Sequence, residues 1–151
     1  MLNFLFNIVS SIRKCYWFFR RPVTVGVKIL ATSRNEILLI KNRYEKMWYL
    51  PGGEVKSGET LAESAKRELR EECGIIPKDL IVFGIYTNFF EYKSDHIILM
   101  YADVSGAVPQ KGLEIEELGF FDMKNLPENV SPATRRRLDE YLSGKPKTDK
   151  W

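Results

Sequence analysis

Apolar and polar positions follow two different rhythms along the chain. Over residues 1–20, Leu2, Leu5, Val9, Ile12, Tyr16 and Phe19 recur at helical spacing, while Asn3, Asn7, Ser10, Arg13, Lys14 and Arg20 fall mostly elsewhere. This predicts an amphipathic helix over residues 1–21. From Pro22 the rhythm changes. Residues 22–29 are rich in β-branched side chains, Ser33, Arg34 and Asn35 are turn formers, and residues 36–40 are a second apolar run, which predicts a hairpin. A short apolar run at 47–50 is stopped by Pro51, Gly52 and Gly53. Further strands are expected at 80–90, 96–104 and 115–121, the last interrupted by Glu116, Glu117 and Gly119. Residues 131–142 read as a helix with Ser131 as its cap, Pro132 at the first helical position and Gly144 just beyond the end. The polar residues 143–151 are expected to be a mobile tail. The sum is one α/β domain over residues 22–142, a mixed sheet flanked by helices.

Between the strands, residues 60–73 carry helix signals of a different kind. Thr60 and Glu63 have the spacing of a capping box, and Gly74 supplies a left-handed terminator. Leu61, Ala62, Ala65 and Leu69 form the expected inward stripe. At ~100° per residue, Glu68, Glu71 and Glu72 share an arc of roughly 100°. Like charges this close destabilise a helix by up to a few tenths of a kcal/mol per pair. Two readings follow: a solvated face paired with Arg67 and Arg70, or a site for a hard divalent cation, which takes carboxylates together with phosphate oxygens and water.

Composition narrows the setting. At 151 residues, 44% apolar and 28% charged, the chain is the size and character of a single globular domain. Of its 23 Lys and Arg, four lie in residues 1–21 with no acid among them, so the remainder is nearly neutral. A basic face for duplex DNA or RNA is therefore not expected. Cys15 and Cys73 have no metal-ligand spacing; they suggest a reducing, cytoplasmic setting. Asn3 and Asn7 interrupt the amino-terminal apolar run and Arg13–Lys14 end it, which argues against a membrane span. A secretory signal fits poorly as well, because no positive charge precedes the apolar part. The segment either packs on the domain or on a second copy in a homodimer, or rests its basic end on anionic lipid; the modest polarity contrast favours packing.

The spacing within residues 53–75 decides between the two readings of the acidic helix. Gly53, five residues, Glu59, seven residues, Arg67, Glu68, Leu69, one residue, Glu71, Glu72, one residue, Gly74 and Ile75 fill every defined position of the Nudix box. With each fixed position at about one in twenty, a chance match in this chain is on the order of 10⁻⁸. Residues 22–142 thus resemble the Nudix hydrolase family of MutT type. The resemblance implies an α/β/α sandwich and a pyrophosphohydrolase, using Mg²⁺ or Mn²⁺, that cleaves a nucleoside diphosphate linked to another group. It implies Glu71 and Glu72 as metal ligands with the Gly52 carbonyl, and Glu68 as a ligand or as the base that activates water. Arg67 is implied to fix the catalytic helix by pairing with Glu59. On the late strand, Glu114 or Glu117 is implied as a further ligand or base.

Substrate cues are sparser. Arg43 and Lys46 are placed to meet phosphate, and Trp48, Phe89, Phe90 and Tyr92 are candidates for stacking on a base, with Gly53 allowing close backbone approach. Tyr92 stands seventeen residues after Ile75, where diadenosine-polyphosphate-cleaving members often carry tyrosine. Glu91 occupies the place of the proline typical of ADP-ribose-cleaving members. His96 is read as structural. The alternative class, a nucleotide-binding module without turnover, usually lacks one of the box glutamates, and all are present here.

Overall fold

The computed structural model describes residues 22–90, 92–145 and 147–151. The expected helix over residues 1–21 lies outside them. The described chain forms β1 (Val23–Ser33), β2 (Glu36–Asn42), α1 (Leu61–Cys73), β3 (Ile81–Phe90), β4 (Lys93–Asp103), β5 (Ile115–Asp122) and α2 (Pro132–Leu142). The strands make one sheet in the order β3-β4-β1-β2-β5. β1 and β4 run parallel and the other neighbours antiparallel.

Alternation along the strands gives the sheet two apolar faces. On one face, Val27, Ile29 and Ala31 of β1 and Ile98, Met100 and Ala102 of β4 pack with Ala65, Leu69 and Cys73 of α1. On the other, Leu30, Leu39, Tyr86 and Leu99 pack with Leu138 of α2. The result is the expected α/β/α sandwich. The inward side of α1 differs from the sequence reading: Leu61 and Ala62 are exposed, and the buried set is Ser64, Ala65, Leu69 and Cys73.

One irregularity of β1 positions the loop that precedes α1. β1 meets β2 only near the hairpin, at Thr32 and Ser33. Its earlier backbone groups pair with residues 51–55 instead: Val27 N donates to Gly53 O (2.9 Å), Ile29 N to Pro51 O (2.9 Å), and Val55 N to Val25 O (2.9 Å). The Pro-Gly-Gly segment is thereby held as a sheet neighbour under α1. At Gly52 φ is +130°, and a Cβ there would run into the Val27 carbonyl, so this position admits glycine alone.

A second connection hangs from the end of α1. Gln110 N donates to Cys73 O (2.8 Å) and Gly112 N to Glu72 O (3.1 Å), which draws the segment before β5 over the helix. The expected mobile tail is docked where it is described. Thr87 N donates to Asp149 O (2.7 Å), Trp151 N donates to Thr87 O (3.1 Å), and the Trp151 ring meets Tyr86 edge-on at 5.7 Å. Its composition is polar, but its last residue carries a large apolar ring and its backbone finds an open strand edge.

Candidate active site

Local sequence sets the acidic helix. Thr60 caps α1 by accepting from Glu63 N (3.2 Å), while the Glu63 carboxylate accepts from Thr60 N (2.8 Å). Gly74 ends it in the left-handed region at φ 68°. With both ends fixed, the 3.6-residue period turns Glu68, Glu71 and Glu72 toward one side. There, together with Leu113, Glu114 and Ile115, they line a cavity of about 290 Å³.

Each box carboxylate has a distinct partner. Arg67 meets both oxygens of Glu59, Nε to Oε1 at 2.6 Å and Nη2 to Oε2 at 2.9 Å. Its Nη1 reaches Glu68 Oε1 at 2.5 Å and Glu71 Oε2 at 3.3 Å. The guanidinium holds the Glu59 carboxyl down to about 2, and the carboxylates in turn raise the pKa of Arg67. Glu68 lies against Gly53 so closely that a Cβ there would sit 2.6 Å from its Oε1. Glu72 accepts from Gly52 N at 2.7 Å. Burial pushes its carboxyl up to about 7 against the opposing pull of Lys28 and of the Gly52 amide; Glu68 and Glu114 push it further in the same direction.

Lys28 is the site residue that the sequence reading missed. It comes from β1, outside the box, and its ammonium donates to the carbonyls of Gly52 (2.8 Å) and Leu50 (3.1 Å). Burial holds it below the ordinary lysine range, offset in part by Glu72. A lysine inside a β-branched strand (Val-Gly-Val-Lys-Ile) was the available signal: it marks a charge placed where the pattern calls for an apolar residue.

The other candidates separate cleanly. Glu114 lines the carboxylate cavity, and its carbonyl accepts from Arg43 N (3.2 Å), which places that loop residue beside it. Glu117 sits on the sheet edge paired with Lys41 at 2.7 Å, outside the cavity. Arg43 and Lys46 are exposed loop residues. Trp48 packs edge-on against Phe121 with centroids 4.8 Å apart and joins the core under α2. Tyr92 occupies the β3–β4 turn at φ 67°, and neither it nor Trp48 borders the carboxylates. Phe89 is exposed on β3. His96 Nδ1 is 3.2 Å from Thr87 Oγ1, a contact within the sheet. Cys73 is a buried free thiol, which burial pushes up to about 12.

The donor set is one of hard oxygens: several carboxylates and the Gly52 carbonyl. Among the described residues no three His, Cys, Asp or Glu side chains gather as a ready-made cage. Mg²⁺ does not require one, because it is held by one or two carboxylates together with water and substrate phosphates. The residues present fit such an ion. No described helix is long and apolar enough to cross a membrane.

The family model for the NUDIX domain matches residues 20–141. The chain is 37% identical to an ADP-ribose pyrophosphatase of Methanocaldococcus jannaschii over 120 residues, 76% of this chain and 70% of that protein. Among solved structures, it resembles a MutT NUDIX hydrolase from Burkholderia pseudomallei with a TM-score of 0.71 and 26% identity, covering 78% of this chain and 97% of that one. It also resembles a MutT protein from Methanosarcina mazei Go1, with a TM-score of 0.68 and 26% identity, covering 82% and 95%. With an intact box on the expected helix and these relatives, the chain belongs to the Nudix hydrolase family, which acts on phosphoric anhydrides.

Proposed function

We propose that the protein is a divalent-metal-dependent pyrophosphohydrolase that cleaves a nucleoside diphosphate linked to another group, by attack of water at phosphorus. The observation that carries this reading is the cavity shared by Glu68, Glu71, Glu72 and Glu114, beside a glycine turn whose amide already binds Glu72.

In this reading Glu71, Glu72 and the Gly52 carbonyl hold Mg²⁺, or Mn²⁺ in its place, with Glu114 as an additional oxygen donor. When bound, the metal neutralises pyrophosphate charge and lowers the pKa of the attacking water. Glu68, half-buried against Gly53, is the carboxylate positioned to accept a proton from that water. Arg67 acts through geometry, fastening the loop at Glu59 to the helix that carries the ligands. Gly53 lets the substrate phosphates approach the backbone. Arg43, whose backbone amide donates to the Glu114 carbonyl, is an exposed cation available to a distal phosphate. Trp48 and Tyr92 lie away from the carboxylates, so a base stacked on either requires an extended substrate.

A substrate panel tests the proposal. Nucleoside triphosphates (oxidised ones included), dinucleoside polyphosphates, ADP-ribose and sugar nucleotides are incubated with Mg²⁺, with Mn²⁺ and with EDTA, and phosphate products are measured. Metal-dependent release of a nucleoside monophosphate from at least one class is expected. Binding without cleavage of any class would point to a nucleotide-sensing module. ADP-ribose belongs in the panel because of the archaeal relative, and dinucleoside polyphosphates because of Tyr92.

A further inference from the structure

Lys28 carries an inference that rests on the metal reading above and goes beyond it. Its ammonium takes the Gly52 carbonyl at 2.8 Å, the same oxygen which that reading gives to the metal, and the Leu50 carbonyl at 3.1 Å. The acids that face it are Glu72, Glu45, Glu68 and Asp95. The other cation of the site, Arg67, is committed to Glu59, Glu68 and Glu71. That leaves Lys28 as the counter-charge of Glu72. A half-buried carboxylate without a nearby cation is costly, and a lysine in the middle of an apolar strand is costly for the same reason. Each charge offsets part of the other's cost, and only while the pair faces each other.

A divalent ion entering between Glu72 and the Gly52 carbonyl would meet this ammonium at short range. Two like charges cannot share that carbonyl without strong repulsion. Lys28 also has somewhere to go. It borders a second cavity of about 190 Å³, lined also by Gly52 and Gly53 and by Thr24, Lys93 and Asp95. The ammonium sits on a flexible four-carbon stem, and an anion in that cavity would draw it off the carbonyl.

We propose that Lys28 is a resident cation of the metal site: it occupies the Gly52 carbonyl in the metal-free chain and yields it when metal and polyphosphate arrive together. Metal alone then binds weakly, and the substrate's own phosphates relieve the conflict by accepting the displaced ammonium. The device ties metal capture to substrate capture.

The test is Mn²⁺ binding to the full chain, read from the electron paramagnetic resonance signal of the free ion, with and without inorganic pyrophosphate. Lys28→Met is expected to bind Mn²⁺ alone about tenfold more tightly than the wild type, the size that one unit charge facing a doubly charged ion gives even with the screening of water. The same variant is expected to lose most of the gain in affinity that pyrophosphate gives the wild type. Lys28→Arg, which keeps the charge, is expected to stay within about twofold of the wild type. Lys28→Gln, expected to behave as Lys28→Met, serves if the latter does not fold by thermal melting in EDTA. Equal or weaker Mn²⁺ binding by the neutral variants would overturn the inference alone. Equal Mn²⁺ binding by wild type and Glu72→Gln would overturn the metal reading beneath it.

Discussion

The guanidinium of Arg67 grips both oxygens of Glu59, at 2.6 and 2.9 Å, across the turn where loop becomes helix. The same side chain touches Glu68 and Glu71, so one residue ties the loop to two carboxylates of the candidate site. Lysine cannot reproduce this fork. Arg67→Lys should therefore keep the fold and lower kcat by about 10²-fold, the usual cost of misplacing catalytic groups by about an ångström. Steady-state kinetics on the preferred substrate and a circular dichroism spectrum check it.

The Glu59–Arg67 pair also sets a pH dependence. The folded Glu59 carboxyl is lowered to about 2, below its value in an unfolded chain. Its contribution to stability is thus complete above about pH 4.5 and is lost as pH falls toward 2. Melting temperatures of wild type and Glu59→Gln should differ near neutral pH and converge over that window. A difference as large at pH 2 as at neutral pH contradicts the pairing.

Adjacent glycines should respond in opposite ways. A methyl group at Gly52 meets fixed backbone at Val27 and a left-handed φ, so Gly52→Ala should destabilise the domain by about 3 kcal/mol or more. At Gly53 the methyl meets the Glu68 carboxylate, which can move. Gly53→Ala should melt near the wild type yet lose about tenfold or more in rate, because the shifted carboxylate is the proposed base. Urea unfolding paired with kinetics separates the two.

Glu114 and Glu117 make a matched comparison. Glu114 lines the carboxylate cavity, whereas Glu117 forms an exposed pair with Lys41, the kind worth at most about 1 kcal/mol. Glu114→Gln should reduce turnover at least about tenfold, and Glu117→Gln should leave it within about twofold. The reverse order would move the site to the sheet edge.

Trp151 closes over Tyr86 and the fully buried Arg137, whose guanidinium lies 4.0 Å from the Tyr86 ring centre and whose Nη1 donates to Lys150 O at 2.8 Å. Removing residues 149–151 should cost about 1–3 kcal/mol through the lost ring contacts and the uncovered guanidinium. Turnover per folded molecule should not change, since none of these groups borders the carboxylates. Thermal melting and active-site-normalised rates test both halves.

Much of this was legible in the chain because the informative signals are local. A capping box, a terminating glycine and a fixed spacing of acids need only one helix to be read, and α1 runs over the expected residues. Strand edges were less legible: β1 runs on to Ser33, which pairs with Glu36 of β2, and β4 begins at Lys93, which pairs with Phe90 of β3, so the antiparallel neighbours hold polar residues in extended form. Glu114 and Glu117 were indistinguishable in sequence, since the choice depends on the bonds that Gly112 and Gln110 make to the end of α1. Lys28 was missed because it lies two dozen residues before the box and reaches the site only through the pairing of residues 51–55 with β1. The docking of the tail was not legible, because polar composition does not reveal an open strand edge waiting for a backbone.

The most direct test of the central claim is the Mg²⁺-dependent hydrolysis rate of Glu72→Gln beside that of the wild type, on whichever nucleotide the panel selects. The amide keeps the shape and can still accept from Gly52 N, but it removes the charge. The account predicts a loss of about 10³-fold or more with an unchanged far-ultraviolet spectrum and a melting temperature at least as high. A rate near that of the wild type, with the same dependence on Mg²⁺, would contradict it.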